Sequence, residues 1–238
     1  MTTNETIKHT LPVLENGYVE LVELMGSDLS VANAARASFA KRSHSFSEAD
    51  AKLVRFLARE QHSSPFRHAM LTFEIKAPLM VARQWWKYVV GSDHTMDGWN
   101  EASRRYITME PEFYIPDADQ WRLAPENKKQ GSGGPVEDGK GFELTHRLMM
   151  RISQSLQDYE DAMTAGVAPE QARLFLHAYA MHTNWWWTCS LQSAMHFVNQ
   201  RLAEDAQSEI QEYAKAIRDL MLPHFPVSME LLVDRETN

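Results

Sequence analysis

A single-domain α+β fold is what this sequence predicts, and three observations carry the expectation. Residues 71–77, LTFEIKA, alternate apolar and polar side chains with the period of a half-buried strand. Residues 142–166 and 205–225 repeat apolar side chains every three or four positions, the period of amphipathic helices. No internal repeat, linker or heptad run divides the 238 residues, a length that can bury one large core.

Taken in order, GYVELVELMG (17–26) reads as a strand running into a turn, and VANAARASF around Arg36 as a small-residue helix. Ser47 is placed to cap SEADAKLVRFLAREQ, where Ala51, Val54, Leu57 and Ala58 form a stripe. In the strand that follows, Leu71, Phe73, Ile75 and Ala77 face inward and Thr72, Glu74 and Lys76 outward. Pro78 ends it and suits the first turn of the next helix, LMVARQWWKY. Residues 113–141 are rich in Gly, Pro and charge, which predicts a long loop with a mobile stretch at 119–141. Leu148, Met149, Ile152, Leu156, Tyr159 and Met163 then mark a long helix that Gly166 stops. After Pro169, EQARLFLHAYA predicts a further helix, NWWWTCS an extended segment, and SAMHFVNQRL a helix again. Ile210, Tyr213, Ile217, Leu220 and Met221 share one stripe of the last long helix.

The formal charge of −8 argues against general affinity for nucleic acid or anionic membrane, so any bound phosphate must meet a local cluster of arginines. The opening MTTNETIKHT lacks the apolar core of a secretory signal, and no later run approaches the roughly 18 apolar residues of a membrane span. A cytoplasmic protein is expected. The single cysteine, Cys189, rules out an intrachain disulfide and a cysteine-rich zinc site, and beside three tryptophans it reads as a core residue rather than a nucleophile. There is no GxGxxG, Walker loop, GxSxG or HExxH. Asp93, His94 and Asp97 read as a solvated loop, and no metal is expected.

Positive candidates concentrate in HSSPFRH (62–68), RQWWKY (83–88), NEASRRY (100–106), and two later arginines, Arg173 and Arg201. A helix from Pro78 puts Gln84 on one side with Lys87 and Tyr88, presenting an amide and an ammonium to one ligand. Ser103 and Arg105 alternate with Ala102 and Arg104, so NEASRRY reads either as a hydroxyl-and-guanidinium clamp for a phosphate or as a salt-bridged surface turn.

The order of the pieces settles that choice. HSSPFRHAMLTFEIKAPLMVARQWW, NEASRRY, GVAPEQARLFL and WWWTCSLQSAMHFVNQRLAEDAQSEIQEYA resemble, in sequence and in order over about residues 17–232, the flavin-dependent thymidylate synthases. That resemblance implies an α+β domain over 1–238, with an antiparallel or mixed sheet packed by long helices, assembled as a homotetramer with shared active sites. It implies reductive methylation of dUMP to dTMP with FAD as cofactor and NADPH and methylenetetrahydrofolate as co-substrates, without a cysteine nucleophile. The same chemistry on UMP, or a nucleotide-binding homologue without catalysis, are the alternatives. By this resemblance Arg201 is the catalytic residue at the uracil ring, and Gln84, Lys87, Glu101, Ser103, Arg104, Arg105 and Arg173 bind the nucleotide. The implied flavin contacts are Ser38, His62, Ser64, Lys87, Tyr88, Val89, Glu101, Ser190, Gln192 and His196. The sequence departs from the family on this flavin side. Lys87, Tyr88 and Val89 replace an R-H-R triplet, Arg67 stands where a glutamate is frequent, and Ser190 and Gln192 stand where Asn and Arg are common.

Overall fold

The computed structural model describes residues 9–90, 97–102, 110–126 and 131–233. Five strands form one antiparallel sheet: β1 (His9–Val13), β2 (Gly17–Met25), β3 (Met70–Pro78), β4 (Gly98–Glu101) and β5 (His182–Ser190), in the spatial order β1-β2-β3-β5-β4. The central strand β3 buries Leu71, Phe73, Ile75 and Ala77 on one face. On the other face Glu74 accepts from the Tyr18 hydroxyl at 2.6 Å and Lys76 pairs with Glu112 at 2.6 Å. The period-two reading of this segment is therefore the observed one.

Eight helices accompany the sheet among the described residues: α1 (Asp28–Arg36), α2 (Glu48–Arg59), α3 (Leu79–Val90), α4 (Asp138–Thr164), α5 (Pro169–Ala172), α6 (Leu191–Arg201), α7 (Ser208–Met221) and α8 (Pro226–Val233). Helices α3, α6 and α7 pack on one another and on the sheet, with an aromatic cluster between them. There the fully buried Trp85 stacks on Phe197 at 4.0 Å and meets Trp185 and Trp187 edge-on at 5.4 and 5.5 Å. Large flat side chains fix the spacing of α3, α6 and β5 over a wide area, which positions the site at their ends. Ser47 caps α2 as expected, and the buried Asp28 carboxylate receives the backbone N–H groups of Val227 and Ser228 at the start of α8, where a negative charge meets the helix dipole.

Helix α4 belongs to a second, smaller core. Ile152 packs with Phe113, Leu176 and Ala180, and Leu148, Leu156 and Tyr159 join it, while Met149, expected on the same stripe, stays exposed like Phe142 and Met150 because the small core does not reach round to it. It begins at Asp138, earlier than the apolar repeat indicates, and ends before Gly166, whose φ of +83° only glycine adopts readily.

One predicted helix is corrected. EQARLFLHAYA holds only the short α5 and a 3₁₀ turn at Arg173–Phe175 before the chain becomes extended at Leu176. Beyond it the chain is held by distant segments: the Met181 and Tyr179 carbonyls accept from the Leu79 and Met80 N–H groups at the start of α3, and the Ala180 carbonyl accepts from the Tyr114 N–H. These pairings, with Leu176 and Ala180 packed against Phe113 and Ile152, take the stretch out of a helical path. The 113–141 segment is a loop, but its described parts are paired. Leu123 and Val136 N–H groups reach Gly134 and Trp121 carbonyls at 2.9 Å, closing a hairpin-like strap, and the Trp121 indole donates to Thr145 on α4 at 2.8 Å. Among the described residues no helix is long and apolar enough to cross a membrane.

Candidate active site

Helix α6 carries functional side chains on two sides, because His196 and Arg201, five residues apart, point away from each other around its axis. Arg201, its last residue, is buried, and its guanidinium carbon lies 3.6 Å from the Tyr88 ring centre on α3. This is a close cation–π contact in a desolvated place. Burial pulls the Arg201 pKa below the usual arginine value, opposed by Tyr88 and Asp205. Its Nε is buried without a partner among the described residues. The charged group is thus held against Tyr88 at the edge of a cavity.

Around it opens a cavity of about 530 Å³ lined by Gln84, Lys87, Tyr88, Arg122, Gly131, Ser132, Arg201, Asp205 and Gln207, among others. Gln84, Lys87 and Tyr88 arrive together because i, i+3 and i+4 share a face of α3, as the sequence indicates. Sequence reasoning missed Arg122, which enters from the strap and pairs with Glu209 at 2.5 Å. Gly131, with φ of +84°, lets the strap pass close to Asp205, where an added Cβ would sit 3.3 Å from the carbonyl oxygen. Gln207 and Glu209 lie in the AQSEI segment that helped carry the family resemblance, although no role had been attached to them.

On the other side of α6, Gln192 and His196 line a cavity of about 490 Å³ with His62, Phe66, Met195 and Asn199. A larger one, about 860 Å³, shares Leu57, His62 and Ser63 with it and adds Arg36, Ser38, Lys41, Ser64 and His68. Arg36 is already paired with Asp50 at 2.7 Å. Burial lowers the His196 pKa, and the Arg201 charge lowers it further. Hydroxyls, imidazoles and cations beside the apolar Phe39, Phe56 and Met195 match a ligand with a diphosphate and a flat ring, so this donor set fits a flavin dinucleotide. Arg67 donates to Gln192 at 2.9 Å beside the same opening.

The remaining candidates separate. Ser190 is fully buried as the N-cap of α6, accepting from the Ser193 N–H at 3.1 Å, and lines none of these cavities. Its hydroxyl is spent on the helix end. Glu101 is exposed at the end of β4, accepts from Thr183 at 2.7 Å, and lines a different cavity of about 260 Å³ with Arg83, Trp86 and Trp99. Arg173 is exposed on the 3₁₀ turn, where its Nε donates to the Glu170 carbonyl at 3.1 Å. Val89 lies in α3 with its side chain outside the described residues, and Ser103, Arg104 and Arg105 lie outside them altogether. Asp93 and His94 do too, and no group of metal-ligating side chains occurs among the described residues. Cys189 is wholly buried, and burial, reinforced by the Asp97 charge, pushes its thiol pKa well up, so it is no ready nucleophile.

Fold and site together define an α+β protein with two polar binding regions set against opposite sides of one helix. The family model described as "Thymidylate synthase complementing protein" matches residues 20–227. The chain is 37% identical over 226 residues to the flavin-dependent thymidylate synthase of Thermotoga neapolitana, covering 94% of each chain. It is 35% identical over 219 residues to that of Thermus thermophilus, covering 92% of this chain and 76% of that one. A solved structure of a UMP/dUMP methylase, PolB from Streptomyces cacaoi bound with 5-Br dUMP, matches with a TM-score of 0.80 at 26% identity, over 94% of this chain and 97% of that one. The chain belongs to the flavin-dependent thymidylate synthase family of enzymes.

Proposed function

We propose that this enzyme methylates C5 of a uridine monophosphate, with dUMP as its main substrate, FAD as cofactor, methylenetetrahydrofolate as carbon donor and NADPH as reductant. The observation that carries the reading is Arg201. A buried guanidinium held over Tyr88 and facing a cavity with an amide and an ammonium suits a flat ring that gains negative charge as it reacts. Such a preorganised cation stabilises the charge that develops on the pyrimidine when C5 acts as nucleophile, and it need not reorganise at that moment. Gln84 and Lys87 orient the nucleotide. Ser103, Arg104, Arg105 and Arg173 hold its phosphate, and Glu101 belongs to the same binding set. The sealed Cys189 supports a reaction without a protein thiolate.

Bound flavin would supply the hydride relay between NADPH and the transferred carbon. Ser38, His62, Ser64, Gln192 and His196 are the residues to hold it, with Lys41 providing charge where the R-H-R triplet is missing. The exposed Arg173 stands beside Leu174 (82% exposed), Phe175 and Tyr179, an apolar surface that supports assembly with other copies and delivery of Arg173 to a neighbour's site in a homotetramer.

A second reading, UMP as substrate, is favoured by the likeness to PolB, whose structures are described as bound with 5-Br UMP and with 5-Br dUMP. Both are tested by the visible spectrum of the purified protein and by tritium release from C5-labelled dUMP and UMP. A yellow protein releasing tritium with NADPH and folate is expected, faster from dUMP. A protein that stays colourless after soaking with FAD and oxidises no NADPH with either nucleotide would be a binding homologue without catalysis.

A further inference from the structure

Glu209 lies in the first turn of α7 and is 5% exposed. Three donors converge on its carboxylate: the Arg122 guanidinium at 2.5 Å, the Gln207 amide nitrogen at 2.7 Å and the Tyr114 hydroxyl. A carboxylate paired with arginine offers acceptors and no donor. Gln207 must therefore turn its NH₂ toward Glu209 and its carbonyl oxygen away. That oxygen accepts from the amide nitrogen of Gln84. Glutamine flips are ordinarily ambiguous, because nitrogen and oxygen are nearly indistinguishable by shape. Here each amide is oriented by the one before it, and the chain begins at a charge that cannot donate. Gln84 is left with its carbonyl oxygen, Oε1, which bonds to no described residue, at the wall of the Arg201 cavity.

We propose that Glu209 sets the selectivity of the nucleotide cavity by locking Gln207 and Gln84 in one amide orientation, so that Gln84 presents an acceptor to a donor on the pyrimidine nucleotide. That donor is either the ring N–H or a sugar hydroxyl. The proposal rests on the pyrimidine-nucleotide reading above and deepens it. A cytosine ring would bring a lone pair against the Gln84 oxygen, and an N-methylated uracil would bring no hydrogen. Arg122 is a positioning residue in this scheme. It fixes the carboxylate and so links the strap, which contains none of the nucleotide motifs, to the choice of ligand.

The experiment is calorimetric titration of the full chain with dUMP, dCMP, N3-methyl-dUMP and 2′,3′-dideoxy-UMP. The wild type is expected to favour dUMP over the analogue that lacks the matching donor, and that analogue identifies which donor is read. Glu209→Gln can donate as well as accept, so it frees Gln207 to flip and should narrow that preference by about tenfold. Gln207→Met should narrow it likewise, and Arg122→Met by about threefold, with Arg122→Lys restoring most of it. The two latter variants carry the test if Glu209→Gln does not fold. Equal weakening of all four nucleotides, or unchanged ratios in folded variants, overturns the relay alone. A wild-type chain that binds neither dUMP nor UMP overturns the substrate reading and the relay with it.

Discussion

The two sides of α6 are built differently. At its C-terminal end, the cavity around Arg201 is fixed from within the chain: a cation clamped on an aromatic ring, and amides ordered by a buried carboxylate. Along its other side, around His196 and His62, two cavities share residues, and several of the polar side chains that line the larger one, including Ser38, Lys41 and Ser64, are exposed. A prearranged cavity selects its ligand before binding, because the cost of ordering the donors has already been met in folding. A cavity lined by exposed side chains takes its final shape from the ligand or from a neighbouring copy.

The hardest way to break this contrast is Arg201→Ala. It should lower turnover by about 10²–10³-fold, as removal of a preorganised charge-stabilising donor does, while flavin content measured by absorbance stays at the wild-type level. Loss of the flavin along with turnover would show that the two sides are one unit. A smaller effect is expected of Tyr88→Leu, which removes the ring that holds Arg201. A cation–π contact is worth about 0.5–2 kcal/mol according to its exposure, so nucleotide affinity in titration should fall several-fold, with Tyr88→Phe close to wild type. If Tyr88→Phe weakens binding as much, the hydroxyl and not the ring face is what matters.

The smallest effect concerns the sheet beneath both sides. His182 is buried with neither ring nitrogen hydrogen-bonded among the described residues, and burial, then the Lys76 charge, lowers its pKa below the ordinary 6.5. The unfolded chain therefore takes up this proton at a higher pH than the folded one does. The associated stability is present above pH 6.5 and is lost as pH falls through the lower, folded value. Melting temperature should drop on acidification through that window, and His182→Phe should flatten the slope without changing dUMP affinity at neutral pH.

Much of the molecule was legible in the sequence wherever one residue's environment is set by its own segment. The stripe of α7, the alternation of β3, the Ser47 cap and the extended NWWWTCS all follow from local period and cap chemistry. Long-range partners were not legible in the same way. The stretch after Pro169 has helical spacing at Ala172, Leu176 and Ala180, yet its Tyr179 and Ala180 carbonyls accept from Met80 and Tyr114, partners distant in sequence. Strands β1 and β4 are too short for a period to register, and α8 is a short helix anchored by long-range polar partners, Ser228 at Asp28 and Glu230 at Arg55. In the site, motif order reached Arg201, Gln84 and His196, but Arg122 stands in a loop with no pattern, and its role appears only once the strap is seen to cross the cavity. Ser190 illustrates the reverse. It occupies a motif position, and its hydroxyl serves the helix end instead.

Cys189 has a practical consequence. The chain's one sulfhydryl is buried on β5, opposite Leu71 of β3, so a thiol-directed dye, spin label or crosslinker meets no native target in the folded protein. A cysteine placed at the exposed Leu123 of the strap or on the exposed side of α4 would then be labelled alone. Distances between a strap reporter and a reporter on α4 can be followed in the otherwise unaltered enzyme while nucleotide and flavin are added in turn.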